Sequence, residues 1–182
     1  MPDGARGAFA RASAQRPIYA EVAGAFSCVN TDAARRPSPG DSRLYAMSNA
    51  LAEALIGPNG LDGVHLNANG VPAEDRREAA AVREMFARTT RKPVLAATKA
   101  LTGFMGYAAA ATEIAFAAMS LREKRPAPSL VQGKSILNDG FSLSSKNASP
   151  APQNVLVNHF AKGLSNHCVV LKSTPGVNND KN

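Results

Sequence analysis

Apolar positions along the chain fall into short continuous runs that alternate with stretches of helical spacing. Residues 17–30, PIYAEVAGAFSCVN, read as a strand whose Ala and Gly let a neighbouring element come close. A polar loop, NTDAARRPSPGD, follows. DSRLYAMSNALAEALIG then sets Leu44, Met47, Leu51 and Leu55 on one helical face, with Asp41 or Ser42 as the cap and Gly57-Pro58 as the stop. LDGVHLNAN is a second strand that ends at Asn69-Gly70. Glu74 and Asp75 open the next helix, where their charge suits its dipole, and Val82, Met85 and Phe86 form its buried stripe. KPVLAAT predicts a third strand, bounded by Pro93 and the loop KALTGFMG, and an Ala-rich helix runs from about Gly106 to Glu123. Residues 124–153 turn to Pro, Ser and Asn, an irregular excursion with one short strand at 141–143. NVLVNHF and NHCVVLKS close the fold as a hairpin around AKGLS. Residues 1–16 are a lead-in, 17–172 the domain, and 173–182 a tail expected to be disordered.

The order β-α-β-α-β-α followed by two strands predicts the α/β class: a mixed, mainly parallel sheet covered by helices, with an antiparallel strand added at the end. Ligands of such sheets bind beyond the carboxyl ends of the strands. Asn69 and Lys99 both follow strand ends directly, so their two loops should meet at one pocket. Yet the first tip offers only Asn69, Gly70, Val71 and Pro72, and none of these moves a proton.

Composition narrows the partners. With 182 residues, 45% hydrophobic and 19% charged, the chain suits one globular domain, and its scarcity of aromatics (5%, no Trp) favours close helix packing. The net charge of +7 is scattered, without a basic run or interleaved aromatic platforms, so no nucleic acid is expected. RTTRKP, residues 88–93, is either a solvated turn or a patch for an acidic carrier protein. Between Lys99 and Arg122 the only charge is Glu113, but the stretch is too Ala- and Gly-rich for a membrane span, and a buried helix explains it better. The N-terminus has no apolar signal region. Cys28 and Cys168 lie far apart, as two reduced thiols of a cytoplasmic protein would. His65, His159 and His167 fall on three strand segments without paired-ligand spacing, which argues for buried or edge histidines and no metal, with His167 of interest for its place beside Asn166.

Three blocks carry a resemblance: HLNANGVPAEDRREA, TKALTGFMGYAAAATE, and NHFAKGLSN with CVVLK. Their order and spacing, from about Ala8 to Lys172, resemble the C-terminal half of a β-ketoacyl synthase, whose pattern is Asn-Ala-His-Gly-Thr-Gly-Thr-Pro, then Thr-Lys-Ser-Met-Thr-Gly-His, then Gly-Phe-Gly-Gly-Thr-Asn. The resemblance implies half of a thiolase-like fold with αβαβα layering, a family that elongates chains on acyl carrier protein. It also places Asn69 and Phe104 where active synthases carry two catalytic histidines. Lys99 and Glu113 match the family's lysine and glutamate, here either functional or kept as a buried structural ion pair. Lys162, Gly163 and Asn166 fall in the loop that gates the pocket, with fewer glycines than an active enzyme has.

The shortened segment G-V-P-x-x-D-R-x-E-A is similar to the chain-length factors of type II polyketide systems. That implies a subunit without catalytic residues of its own, paired with an active ketosynthase and with acyl carrier protein, and needing no cofactor beyond the carrier's 4'-phosphopantetheine. Two alternatives stay open: a complementing half of a split synthase, or a thiolase-derived binding protein. The family's N-terminal half, with its nucleophilic cysteine, has no counterpart here, so a second polypeptide, a longer parent chain or another cover for the core is implied.

Overall fold

A computed structural model of the chain describes residues 18–29, 42–130, 137, 140–144, 151–161 and 165–174. These form a six-stranded sheet built from β1 (Glu21–Val29), β2 (Gly63–His65), β3 (Val94–Ala96), β4 (Ser142–Leu143), β5 (Asn154–Phe160) and β6 (Ser165–Lys172), in the spatial order β1-β6-β5-β2-β3-β4. β5, β2, β3 and β4 run parallel, while β6 opposes both β5 and β1. The antiparallel strand expected at the end of the chain is β6, but it lies inside the sheet because β1 adds to its outer edge.

Helices α1 (Ser42–Glu53) and α2 (Pro72–Met85) cover one face, and α4 (Ala109–Arg122) the other; α3 is a single turn, Lys99–Thr102. The two-residue period of the strands separates two cores. Leu156, Cys168 and Val170 pack with Met47 and Leu51 of α1 and Val82 and Phe86 of α2. Val155, Val157 and Leu171 pack with Ala117 and Leu121 of α4. β1 approaches α1 so closely that a Cβ at Gly24 would lie 2.4 Å from the Ala50 carbonyl oxygen, which is why the strand needs Gly there.

Leu55 departs from its expected place in the core. α1 ends at Glu53, and Leu55 turns left-handed (φ 55°), leaving it 90% exposed. The Ile56 amide bonds to the Leu51 carbonyl and the Leu55 amide to that of Ala52, so Leu55 occupies the C′ position of a Schellman cap. Ala46, Ala50 and the buried Arg43 fill the face with Met47 and Leu51.

At the amino end of the parallel strands, Asp62 joins three segments. Its Oδ2 accepts from the amides of Gln153 (2.9 Å) and Asn154 (3.0 Å), and its Oδ1 pairs with Arg91. A cavity of about 180 Å³ opens beside it, floored by Gly63, Val94 and Ala96 and reaching His65. Among the described residues no helix is long and apolar enough to cross a membrane.

Candidate functional site

The carboxyl ends of β2, β3 and β5 lie side by side, as the alternating pattern requires, and the site is built on them. Beyond β2, two carboxylates of α2 hold the loop. Glu78, 3% exposed, accepts from the amides of Asn67 (2.8 Å) and Ala68 (2.9 Å) and from Asn158 Nδ2 (3.2 Å). Burial raises its pKa above the usual carboxylate range, against the pull of those hydrogen bonds and of Lys99. Ala68 is held at φ 31°, a conformation that L side chains seldom adopt. Asp75 is likewise raised, chiefly by burial, although the amides of Asn69 and Gly70 favour its charged form. It does more than complement the helix dipole.

Asn69 is engaged within its own loop. Its Oδ1 accepts from the Val71 amide at 3.0 Å, an Asx turn that leads the chain into Pro72 at the start of α2. A side chain fixed in this way shapes a turn.

Beyond β3, Lys99 enters the interior. Its Nζ stands 3.3 Å from Glu113 Oε1, with the two side chains 5% and 2% exposed. Thr98 Oγ1 donates to the same oxygen, and His65 Nδ1 lies 3.4 Å from Oε2. Burial alone would raise the Glu113 pKa, but His65, Thr98 and Lys99 together hold it below the ordinary value. The carboxylate therefore stays charged, inside a pair closed on itself. The geometry is that of a buried ion pair.

Phe104 is 62% exposed, in an apolar segment with Leu101, Met105 and the fully exposed Tyr107. Lys162 and Gly163 lie outside the described residues. Strand alternation turns the Asn166 side chain to the α1 face, where Nδ2 donates to Ser42 Oγ at 2.8 Å and braces the start of α1. His167, its neighbour, points to the other face, and its Nδ1 is 2.8 Å from Ser27 Oγ.

The histidines are the residues whose convergence the linear pattern hid. His65 reaches Glu113, and His159 pairs across the ladder with His167, their ring centroids 6.2 Å apart. Burial first, then the charges of Lys99 and His167, lower the His159 pKa below the usual imidazole value. Parity along β2, β5 and β6 would have put them on one face, but only once the register was known. Among the described residues no group of three His, Cys, Asp or Glu could hold a metal ion. The free Cys168 is buried, and its thiol pKa is pushed well above the ordinary value, chiefly by that burial.

Residues 19–132 match the β-ketoacyl synthase, C-terminal domain, family. The chain belongs to the β-ketoacyl synthase family. Over 114 residues, 62% of this chain and 28% of the relative, it is 30% identical to 3-oxoacyl-[acyl-carrier-protein] synthase 2 of Coxiella burnetii. Over 126 residues, 69% of this chain and 30% of the relative, it is 34% identical to the tetracenomycin polyketide synthase ketoacyl synthase beta subunit of Streptomyces glaucescens. The chain thus spans less than a third of these curated relatives.

Among solved structures, the ishigamide ketosynthase/chain length factor superposes with TM-score 0.78 at 21% identity, covering 93% of this chain and 41% of that one. AntDE:AntF, described as a type II acyl-carrier protein in complex with its ketosynthase, gives 0.76 at 19%, covering 90% and 41%. The ketosynthase, thiolase-like fold expected from the three blocks is the fold observed.

Proposed function

We propose that this ketosynthase C-terminal domain is a non-catalytic, chain-length-factor-like partner of an active ketosynthase in chain elongation on acyl carrier protein. The observation that carries the proposal is the state of the two loops. Asn69 is spent on a turn, and Phe104 is exposed and apolar, at the positions matching the family's two catalytic histidines. A carbon–carbon condensation needs groups there that donate to a developing oxyanion and manage a proton. Asn offers only hydrogen bonding, and Phe offers neither.

The outer surface of α4 supports the need for a partner. The helix is apolar nearly all round, yet Ala111 and Ala115 are exposed and Met119 is 48% exposed. Such a helix is stable when both sides are covered. The tetracenomycin relative is named as a beta subunit, and one superposed structure contains a chain length factor. Both agree with a paired role.

A second reading has its own observation. The Lys99–Glu113–Thr98 cluster is intact, which suits a chain that completes the site of a split synthase whose nucleophile comes from elsewhere. Turnover separates the two. The active partner's condensation rate is expected to be unchanged when Phe104→His and Asn69→His are introduced together into this chain. A gain of turnover on restoring the histidines would favour the split enzyme, and elongation by the chain alone would overturn both readings.

A further inference from the structure

β2 carries a glycine that neither its backbone conformation nor, among the described residues, a helix above it requires. At Gly24 a Cβ would strike the Ala50 carbonyl of α1, which accounts for that residue. At Gly63 the nearest atoms to a Cβ belong to its own sheet neighbours, Val155 Cγ2 at 3.4 Å and the Val94 carbonyl oxygen at 3.6 Å. Those are ordinary contacts, and Gly63 does not take a positive φ. A glycine inside a strand often marks a place where another group approaches the backbone closely.

The space over Gly63 is the cavity of about 180 Å³ beside Asp62. Register sets Val94 and Val155 on either side of Gly63. Their side chains form two ridges roughly 10 Å apart, with the glycine as the trough between them. Pro126 and Pro152 add apolar walls, and His65 closes the inner end with its Nδ1 turned to Glu113 at 3.4 Å. A cavity of about 150 Å³ is enough to hold a benzene ring. The mouth is polar, formed by Asp62 with Arg91 and Lys92 of the RTTRKP stretch. Asp62 is engaged on both oxygens, by two backbone amides and by Arg91. Arg91, its side chain 54% exposed, spends Nη2 there and keeps further N–H donors in a fixed fork. Lys92 Nζ donates to the Phe86 carbonyl, a neutral acceptor that leaves its charge uncancelled. Two cations thus face one carboxylate at the entrance to an apolar trough. An apolar hollow with a few placed polar groups is how small-molecule sites are built.

We propose that this cavity binds a small monocarboxylate with a flat or short apolar body, its carboxylate on Arg91 at the mouth and its body in the trough over Gly63. The planar guanidinium fork matches a carboxylate, and Lys92 adds charge without a directed contact. Inorganic phosphate shares the anionic end but has no body to fill the trough. The site lies at the amino end of the parallel strands, away from the loops of Asn69 and Lys99. It therefore does not rest on the paired role proposed above.

The test is an NMR titration of the full chain, ¹⁵N-labelled and ¹³C-labelled at Val methyl groups, with benzoate as the probe. Benzamide serves as its neutral counterpart and inorganic phosphate as the bare anion. Benzoate is expected to move the Gly63 amide and the Val94 and Val155 methyl signals saturably, with NOE contacts from its ring protons to both valines. Gly63→Ala places a methyl in the trough at ordinary contact distances and should weaken binding at least about tenfold. Arg91→Met should weaken it about tenfold or more, while Arg88→Met, an exposed cation of the same stretch, should leave it unchanged. A linear response, or saturation without the two NOE contacts, would overturn the proposal. So would benzamide binding as tightly as benzoate, wild-type affinity in Gly63→Ala, or phosphate displacing benzoate at equal concentration, which would assign the effect to the cations alone. The NOE measurement needs no variant and decides the case if Arg91→Met fails to fold.

Discussion

Replacing Lys99 by Met isolates what the buried ion pair contributes. Met keeps the length and apolar stem of the lysine while deleting the ammonium that stands 3.3 Å from Glu113 Oε1. Glu113 is then left charged and 1% exposed, supported only by Thr98 and His65. Removing one partner of a buried pair costs about 3–5 kcal/mol, because the other charge is stranded. Two remaining hydrogen bonds to a carboxylate offset part of that, and we expect a loss of about 3 kcal/mol. With a urea slope of about 2 kcal/mol/M, the unfolding midpoint should fall by roughly 1.5 M. Adding Glu113→Gln should recover at least half of the loss, since the stranded charge is gone.

The acid limb should change as well. Glu113 has a folded pKa below its unfolded value, so its contribution is present above the unfolded pKa near 4.5 and is lost as pH falls through the lowered one. The Lys99→Met loss should therefore shrink below about pH 4.5, the ordinary carboxyl value. Urea titrations of the three proteins at pH 7 and pH 4 measure all of this. A Lys99→Met cost under 1 kcal/mol, or no recovery in the double variant, would refute the stranded-charge account.

Other consequences can be read with the same assay. Leu55→Gly should stabilise by about 1 kcal/mol, because the residue is 90% exposed, turns left-handed at the C′ position, and loses no core contact; a loss of stability would show that the side chain matters. Asp62→Ala should cost about 2–3 kcal/mol by leaving the amides of Gln153 and Asn154 without their acceptor, and Asp62→Asn should cost less; equal losses would point to the Arg91 ion pair instead. His159 has a folded pKa below its unfolded value near 6.5, so the unfolded chain binds more protons between the two; stability should fall as pH drops from 7.5 toward 5.5, and His159→Gln should flatten that slope. Gly24→Val should unfold or seriously weaken the domain, since the Ala50 carbonyl sits where the new Cβ must go; near-native stability would mean that α1 can move away.

The elements were legible because each carried its own period. The Ala-rich helix, the closing hairpin and the short strand near residue 142 fall where the pattern put them. Leu55 misled because helical spacing continues past Glu53, while the cap that ends α1 is formed by backbone bonds of Leu55 and Ile56 that no side-chain pattern records. The place of β1 beside β6 was equally hidden, since strand order depends on long-range pairing. At the site, the resemblance located Lys99 and Glu113, and their chemistry explains the contact. Asn166 lay within the gating block, but alternation along β6 decided its direction, and the pairing of His159 with His167 exists only through register. Periodicity speaks to neighbours in sequence. The site is made by neighbours in space.

The proposed role is that of an obligate partner without turnover of its own. The most direct measurement is native mass spectrometry of the chain expressed alone and together with an active ketosynthase. The account predicts a stable hetero-complex of defined stoichiometry, with the lone chain aggregating through its uncovered α4 face. A well-folded lone monomer that ignores the ketosynthase would contradict it.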